Sequence, residues 1–358
     1  MSAGPRGESG GGSHVLVLVS PTAGRGRGET TGGLVVARLR AAGHRVTVVD
    51  RPDPVSAAAA TGALLDAGPG DRPDALVVVG GDGSLHVAVN ALLGTNGRSG
   101  ADGVAGTAPV ALGLVPCGTG NDFATGLGLP GDAGAAVTAV DRCLREGTRW
   151  AVDAVHVAAD PQGSAAPPWD GERWFAGVLS AGFDAVVSER ANGMTWVRGS
   201  ARYALAVARE LPPYRARRYA LDLDGETWEI DALLVSIANA PAYGGGMRIA
   251  PSADPADGGL EVVVVEPLPK VRFLGLFPRV YRGTHVDLPY VTVRRAKRVR
   301  VSIVDDRSPL VAYADGERLA PLPLTCEVRP AAVPLLAAPP APPTAVVPPP
   351  SAPAAGAP

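Results

Sequence analysis

Short runs of β-branched residues alternate with helix-length segments through the first 150 residues, and this alternation restricts the fold more than any other feature. The runs span residues 15–19, 45–50, 75–79 and 110–115. Segments 31–42 and 56–67 place apolar residues at helical spacing, segment 132–146 predicts another helix, and polar segment 95–108 predicts a surface loop. The pattern is typical of a parallel sheet with helices on both faces.

The second half has longer strands of alternating polarity, at residues 149–158, 173–180, 217–224, 227–237, 260–265 and 290–303. Asp224-Gly225 predicts a hairpin turn, and residues 200–211 predict a helix. The predicted fold class is therefore α/β, with a parallel-sheet domain over residues 14–148 and an antiparallel β-sandwich domain over residues 149–336. A polar leader, 1–13, and a Pro/Ala-rich tail, 337–358, are predicted to be disordered.

Composition excludes several classes of protein. No apolar run approaches the roughly 20 residues of a transmembrane helix, and the leader lacks a signal-peptide core, so we expect a cytoplasmic protein. The three cysteines are too scattered for a zinc site, and a net charge of −2 gives no attraction to nucleic acid. Lysine occurs only at positions 270 and 297. Walker-type and protein-kinase sites both need a lysine further upstream, so both are excluded.

Three of the predicted strands end in loops of small residues that lead into helices. The carboxyl ends of parallel strands share one edge of a sheet, so these loops should form one crevice whose amides suit phosphate. A carboxylate at Asp82 would repel phosphate unless Mg²⁺ lay between them, which predicts Mg²⁺ and a nucleotide. One such loop alone is usually a tight turn; three together favour binding. The loops are Ser20, Pro21, Thr22, Ala23, Gly24; Gly80, Gly81, Asp82, Gly83, Ser84; and Pro116, Cys117, Gly118, Thr119, Gly120, Asn121, Asp122.

These ordered motifs resemble the diacylglycerol kinase catalytic-domain family, which includes bacterial lipid kinases and the sphingosine and ceramide kinases. The resemblance covers about residues 14–330 and implies a nucleotide domain like those of NAD kinases and phosphofructokinases, joined to a sandwich that supplies the lipid site. It implies an ATP site formed by the loop 20–24, by the segment 80–86, which includes Leu85 and His86, and by Thr119. Residues 180–184 resemble the second-domain signature of the family.

Two acidic motifs in the second half also match the family. The resemblance implies that Asp254, Asp257 and a carbonyl such as that of Gly259 hold a structural Mg²⁺; the alternative is an acidic β-turn. It further implies that Asp315-Gly316-Glu317 supplies the general base, although Asp-Gly between strands is usually only a hairpin turn. The choice between Asp315 and Glu317 as the base stays open.

The chain departs from the family at several positions. Ser20 replaces a common asparagine and Ser84 a common threonine, while His86 and Val87 replace a frequent Asn-Glu pair. The lost glutamate affects the details of nucleotide binding, and an inactive nucleotide- or lipid-binding regulator therefore stays an alternative. Clusters of basic residues suggest a face that docks on membranes: Arg215, Arg217, Arg218, Arg294, Arg295, Lys297, Arg298 and Arg300.

The sequence thus predicts an ATP- and Mg²⁺-dependent lipid kinase that is cytoplasmic and peripherally associated with the membrane. Asp82 would orient the metal, and Asp315 or Glu317 would deprotonate the hydroxyl of a lipid at the membrane surface. Diacylglycerol is the first-choice acceptor; sphingoid bases or other lipid alcohols, then a soluble substrate as in NAD kinases, are the alternatives. A Rossmann dehydrogenase is less favoured because its glycine fingerprint is missing. Whether the chain forms a homodimer stays open.

Overall fold

The computed structural model describes residues 12–51, 53–68, 70–94, 109–159, 173–194, 200–305 and 309–340. The predicted loop 95–108 lies outside them, as do most of the leader and residues 341–358 of the tail. The helices are α1 Ala23–Ala41, α2 Pro54–Leu65, α3 Asp82–Leu93, α4 Asp122–Gly126, α5 Ala133–Glu146, α6 Phe183–Gly193, α7 Ser200–Glu210, α8 Lys270–Leu274 and α9 Phe277–Arg282, with a 3₁₀ turn at His285–Asp287.

The strands fall into two sheets. They are β1 His14–Val19, β2 Arg45–Asp50, β3 Ala75–Gly80, β4 Ala111–Pro116, β5 Trp150–Ala159, β6 Arg173–Phe175, β7 Val178–Gly182, β8 Arg217–Leu223, β9 Glu226–Ala232, β10 Leu234–Ala238, β11 Leu260–Val265, β12 Val291–Ala296, β13 Arg298–Ile303, β14 Val311–Ala314, β15 Glu317–Pro321 and β16 Leu324–Leu335.

The first four strands form the predicted parallel arrangement, in the order β2-β1-β3-β4. Alternate side chains of β1 serve opposite faces of the sheet. Val15 and Val17 pack in the core that holds residues of α1 and α5, whereas Leu16 and Leu18 pack in the core that holds residues of α2 and α3. Both faces are therefore covered, which explains why β3 and β4 are buried along their whole length.

One sheet extends from the first half of the chain into the second. At the end of β16, Leu335 pairs in parallel with Leu112 of β4, while most of β16 pairs antiparallel with β5. The ten-stranded sheet then continues in the order β16-β13-β8-β9. The sequence did not reveal this link, because the residues that join the halves are more than two hundred positions apart.

The second sheet is antiparallel, with the order β12-β11-β10-β7-β14-β15. It packs against the far part of the first sheet through a shared core in which Tyr219 and Val299 meet Ile237 and Val262. The hydroxyl of Tyr219 donates to the carbonyl oxygen of Ala181 at 3.1 Å, which links the two layers. The predicted sandwich is confirmed, and residues of α6, α7 and α8 cover the outer face of its second sheet.

Three predicted strands were wrong in one respect, because each of them passes from one sheet to the other. Segment 173–180 divides into β6 and β7 at Ala176-Gly177, segment 227–237 divides at Leu233, and segment 290–303 divides at Lys297. None of the three segments contains a proline at its corner, so the local sequence did not indicate the change of partner strand. Among the described helices, none is long and apolar enough to cross a bilayer.

Candidate active site

The three glycine loops meet at the carboxyl edge of the parallel strands. The amide of Ser20 donates to the carbonyl of Val79 at 3.0 Å, and the amide of Cys117 donates to that of Gly80 at 2.9 Å. The loops after β3 and β4 touch through their backbones, since a Cβ on Gly118 would lie 2.6 Å from the Cα of Gly81. Glycine is therefore required at this contact.

The first loop turns directly into α1, which begins at Ala23 and not near residue 31 as the sequence suggested. Gly24, Arg25 and Gly26 have φ values of 57°, 64° and 90°, so the helix starts with a left-handed kink. Arg25 and Arg27 both line the cleft beside this kink. Sequence reasoning missed these two cations, although the Gly-Arg-Gly-Arg run after a buried strand was a usable signal for anion binding.

Asp82 lies at the start of α3 and connects the second loop to the third. Its carboxylate accepts the backbone amides of Asp122 at 3.1 Å and Phe123 at 3.2 Å. Burial raises the pKa of Asp82, and the negative charge of Asp122 raises it further. A Cβ on Gly120 would lie 3.0 Å from Asp82 Oδ2 and 3.2 Å from Asp122 Oδ2, so the two carboxylates flank this glycine.

The third loop also binds the second half of the protein. Asn121 has a φ of 59°, and its side-chain oxygen accepts the amide of Gly118 at 2.9 Å. The carboxylate of Asp122 accepts the amides of Gly245 and Gly246, at 2.8 Å and 2.6 Å, from the connection between β10 and β11. Asp122, predicted to contact phosphate, thus holds the two halves of the cleft together.

The Asp-Gly-Glu turn between β14 and β15 faces the glycine loops. The buried carboxylate of Asp315 accepts three backbone amides, from Gly177 at 2.9 Å and from Ala176 and Val178 at 3.2 Å each. Those amides belong to the corner where the chain passes between sheets. His86 lies on the other side, with its Nδ1 3.6 Å from Asp315 Oδ2. Asp315 therefore fixes the turn against the sandwich.

Glu317 occupies a different environment from Asp315, only two residues away. It is exposed, and within the described part of the chain no group forms a hydrogen bond with its carboxylate. A Cβ on Gly83 would lie 2.7 Å from Glu317 Oε1, so this carboxylate reaches the first turn of α3. The structure thus brings the late acidic motif to the Gly-Gly-Asp-Gly loop.

A single cleft of about 2650 Å³ joins the glycine loops to an apolar chamber beneath α6–α9. The chamber contains a carboxylate, since Asp184 accepts the hydroxyl of Tyr243 at 3.1 Å. Burial raises the pKa of Asp184 and raises that of Tyr243 well above its usual range. Sequence analysis noted residues 180–184 but did not predict the chamber, whose apolar lining includes Phe183, Val187, Val207, Leu211, Ile249, Val265, Phe273, Leu276, Phe277 and Val280.

The acidic segment predicted to bind metal lies outside the lining of this cleft. Asp257 accepts the amide of Gly259 at 3.0 Å, and its other oxygen forms an ion pair with Arg295 at 2.5 Å. Asp254 accepts the amide of Ala256. A third carboxylate, the buried Asp153, was missed by the sequence analysis. Burial raises its pKa, and the charges of Asp257 and Asp254 raise it further. Metal binding here stays a prediction.

Comparisons with known proteins agree with this architecture. Residues 14–156 match the diacylglycerol kinase catalytic domain, and residues 177–337 match the YegS C-terminal NAD kinase beta sandwich-like domain. A Mycobacterium tuberculosis protein named diacylglycerol kinase is 34% identical over 324 residues, covering 90% of this chain and 94% of that protein. A Stenotrophomonas maltophilia protein named probable lipid kinase YegS-like is 30% identical over 248 residues, 68% of this chain and 72% of that protein.

Solved structures share the fold. A Bacillus anthracis structure described as a diacylglycerol kinase superposes with a TM-score of 0.62 at 18% identity, covering 91% of this chain and 97% of that one. Another Bacillus anthracis structure superposes with a TM-score of 0.69 at 20% identity, covering 91% of this chain and 96% of that one. With its catalytic-domain motifs, its sandwich and these relatives, the chain belongs to the diacylglycerol kinase family, and it is an ATP-using lipid kinase.

Proposed function

We propose that this lipid kinase transfers the γ-phosphoryl group of Mg·ATP to the hydroxyl of diacylglycerol at a membrane surface, which yields phosphatidic acid. The observation that supports this most is the continuous cleft, in which a phosphate-binding edge opens into an apolar chamber. A soluble acceptor such as NAD has no acyl chains to bury in such a chamber, whereas the acyl chains of a lipid are stabilised by burying apolar surface in it.

The glycine loops would hold the triphosphate. Residues of the loops after β1, β3 and β4 line one edge of the cleft, and Arg25 and Arg27 add positive charge there. Thr119 and Gly120 are exposed at the same edge and are available to the nucleotide.

The residues around Gly120 fit a bound Mg²⁺. Burial raises the pKa of Asp82, and the negative charge of Asp122 across this glycine raises it further. A divalent cation would relieve that repulsion. Mg²⁺ usually takes one or two carboxylates and completes its shell with water and substrate phosphates. Bound there, Mg²⁺ would neutralise charge on the phosphates.

The proposed general base is Glu317. It is exposed to the cleft and has no partner among the described residues, whereas the oxygens of Asp315 already accept three amides. The acceptor hydroxyl would lose its proton to Glu317 as its oxygen bonds to the γ-phosphorus. The bond from that phosphorus to the β–γ bridging oxygen breaks, and ADP leaves with the electron pair.

A sphingoid base is the second candidate acceptor, and one observation favours it. Asp184 is a carboxylate inside the apolar chamber, where an ammonium group would offset the cost of its burial. The hydrogen bond from Tyr243 is the contrary observation, because it already gives this carboxylate a neutral partner.

The test is to incubate the purified protein with labelled ATP, Mg²⁺ and lipid alcohols in mixed micelles, beside NAD and a sugar phosphate. We expect label in phosphatidic acid, and loss of that label in the variant Glu317→Gln. Label in phosphorylated sphingosine would transfer the proposal to the second candidate. Label only in NAD or sugar would overturn the lipid acceptor, and absence of label with every acceptor would support an inactive regulator.

A further inference from the structure

We propose that residues 270–282, which contain α8 and α9, form the surface that docks this kinase on an anionic lipid bilayer. The inference rests on the proposed function, because it assumes that the acceptor lies in a membrane. It goes beyond that function by assigning the contact to one segment of the chain.

This segment has several large apolar side chains that are exposed to solvent. Val271 is 82% exposed, Tyr281 51% and Leu274 46%. Among the described residues Val271 is the most exposed large apolar side chain, ahead of Val55 at 80%. Three such side chains within eleven positions are a cluster and not scattered exposure. Side chains of this kind enter the headgroup region when short helices lie on a bilayer.

The charges of the same segment are of one sign. Between Glu266 and Asp287 the sequence has no acidic residue, and it has four cations, at Lys270, Arg272, Arg279 and Arg282. The three arginines are exposed, and within the described ranges no side chain forms an ion pair with them. Unpaired guanidinium groups beside exposed apolar side chains complement anionic headgroups over hydrocarbon.

Two more cations extend this surface. The amide of Arg248 donates to the carbonyl of Val280 at 3.1 Å, so the exposed Arg248 lies beside α9. Burial lowers the pKa of Lys270, and the positive charge of the nearby Arg215 lowers it further. Lys270 itself donates to the carbonyl of Tyr214. Positive charge therefore borders both ends of the segment.

The basic strands singled out by the sequence are poorer candidates. Arg294 pairs with Glu226 at 3.0 Å, Arg295 with Asp257 at 2.5 Å, and Arg217 with Asp305 at 2.7 Å. Arg218 reaches Glu229 at 3.3 Å. The charge of these four arginines is compensated by carboxylates on the protein itself, so they are less suited to anionic lipid than residues 270–282.

The position of the segment relative to the cleft explains why docking would serve the reaction. Phe273, Leu276 and Phe277 line the apolar chamber, and the exposed Leu274 and Tyr281 belong to the lining of the same cleft. Val271, Arg272 and Arg279 lie outside that lining and are exposed. The same two short helices therefore wall the chamber and face outward. Docking through them would bring the chamber against the leaflet, so an acyl chain could enter without crossing water.

The test uses the full chain and sedimentation with phosphatidylcholine vesicles, with and without phosphatidylserine. The docking variant is Arg272→Glu with Arg279→Glu. The matched control is Lys297→Glu with Arg298→Glu, which changes the net charge equally at exposed positions where β12 passes into β13. A cation near an anionic leaflet contributes about 1 kcal/mol, a factor of about five in affinity, so we expect the docking variant to lose at least about 25-fold. Val271→Ser should weaken binding further and should do so at high salt as well.

Kinase activity in detergent micelles without anionic lipid separates this inference from the proposed function. The docking variant should keep its activity in micelles and its melting temperature, but lose activity on phosphatidylserine vesicles. An equal loss of vesicle binding in both charge variants would overturn the assignment to residues 270–282, as would unchanged binding in the docking variant. A dimer that the docking variant dissociates would instead identify a second copy as the occupant. A wild type that binds vesicles but phosphorylates no lipid would refute only the proposed function.

Discussion

Replacing Glu317 by Gln and Asp315 by Asn, one at a time, separates proton transfer from positioning in the Asp-Gly-Glu turn. In Asp315→Asn the new carbonyl oxygen can keep the two amides now held by Oδ1, Gly177 and Val178. The new amino group then faces the amide of Ala176, a donor against a donor. An unsatisfied buried group costs about 1–3 kcal/mol, so the melting temperature should fall by several degrees.

Glu317→Gln should have the opposite profile. The side chain is exposed and lacks a partner in the described part of the structure, so the free energy of unfolding should change by less than about 0.5 kcal/mol. If Glu317 is the base, kcat should fall by about 10²- to 10⁴-fold with little change in the KM for ATP. ADP release with diacylglycerol micelles and urea denaturation measure the two effects. Normal turnover in Glu317→Gln, or wild-type stability in Asp315→Asn, would refute the division of roles.

Three further changes test the cleft. Gly118→Ala should lower the free energy of unfolding by about 1–3 kcal/mol and weaken ATP binding, because its Cβ would lie 2.6 Å from the Cα of Gly81. Gly131→Ala, with open space around the added Cβ, is the control. Equal melting curves for the two variants would contradict the contact. Asp122→Ala should raise the KM for both substrates, since the hydrogen bonds from the amides of Gly245 and Gly246 across the cleft are lost. An unchanged KM would show that these two amides do not hold the cleft together. Burial raises the pKa of Asp184 above 3.8, so the folded state binds that proton more tightly and gains stability as pH falls from neutral to about 4. Asp184→Asn should reduce this gain in urea titrations, and an identical pH profile would contradict it.

Local pattern located many elements well. The predicted strands at residues 45–50 and 260–265 coincide with β2 and β11, and the predicted hairpin turn at Asp224-Gly225 lies between β8 and β9. Strands of this kind are runs of β-branched residues between turn residues, and those features are local. The start of α1 was missed because glycines at positions 24 and 26 mimic a loop, while the chain in fact enters the helix through left-handed residues.

The local sequence pattern could not predict which side chains and backbone groups contact each other. The sequence identified Asp315 and Glu317 as one acidic motif, but only the fold gave Asp315 three backbone amides and left Glu317 exposed. It likewise identified basic clusters without distinguishing cations paired on the strands from the exposed Arg272 and Arg279. The predicted domain boundary at residue 148 stays a prediction, and one sheet crosses it, since β16 returns to pair with β4.

By itself, the sequence determined that three small-residue loops follow buried parallel strands and therefore meet at one edge. Strand-forming residues and glycines set the backbone through steric contacts between near neighbours. The carboxyl ends of parallel strands lie at one edge of the sheet, so the loops that follow them meet there. Tertiary structure alone decided that this edge opens into an apolar chamber and that Asp315 and Asp122 join segments 138 and 123 residues away. Such contacts form only when two sheets pack face to face, because their geometry depends on the whole layer and not on any one segment.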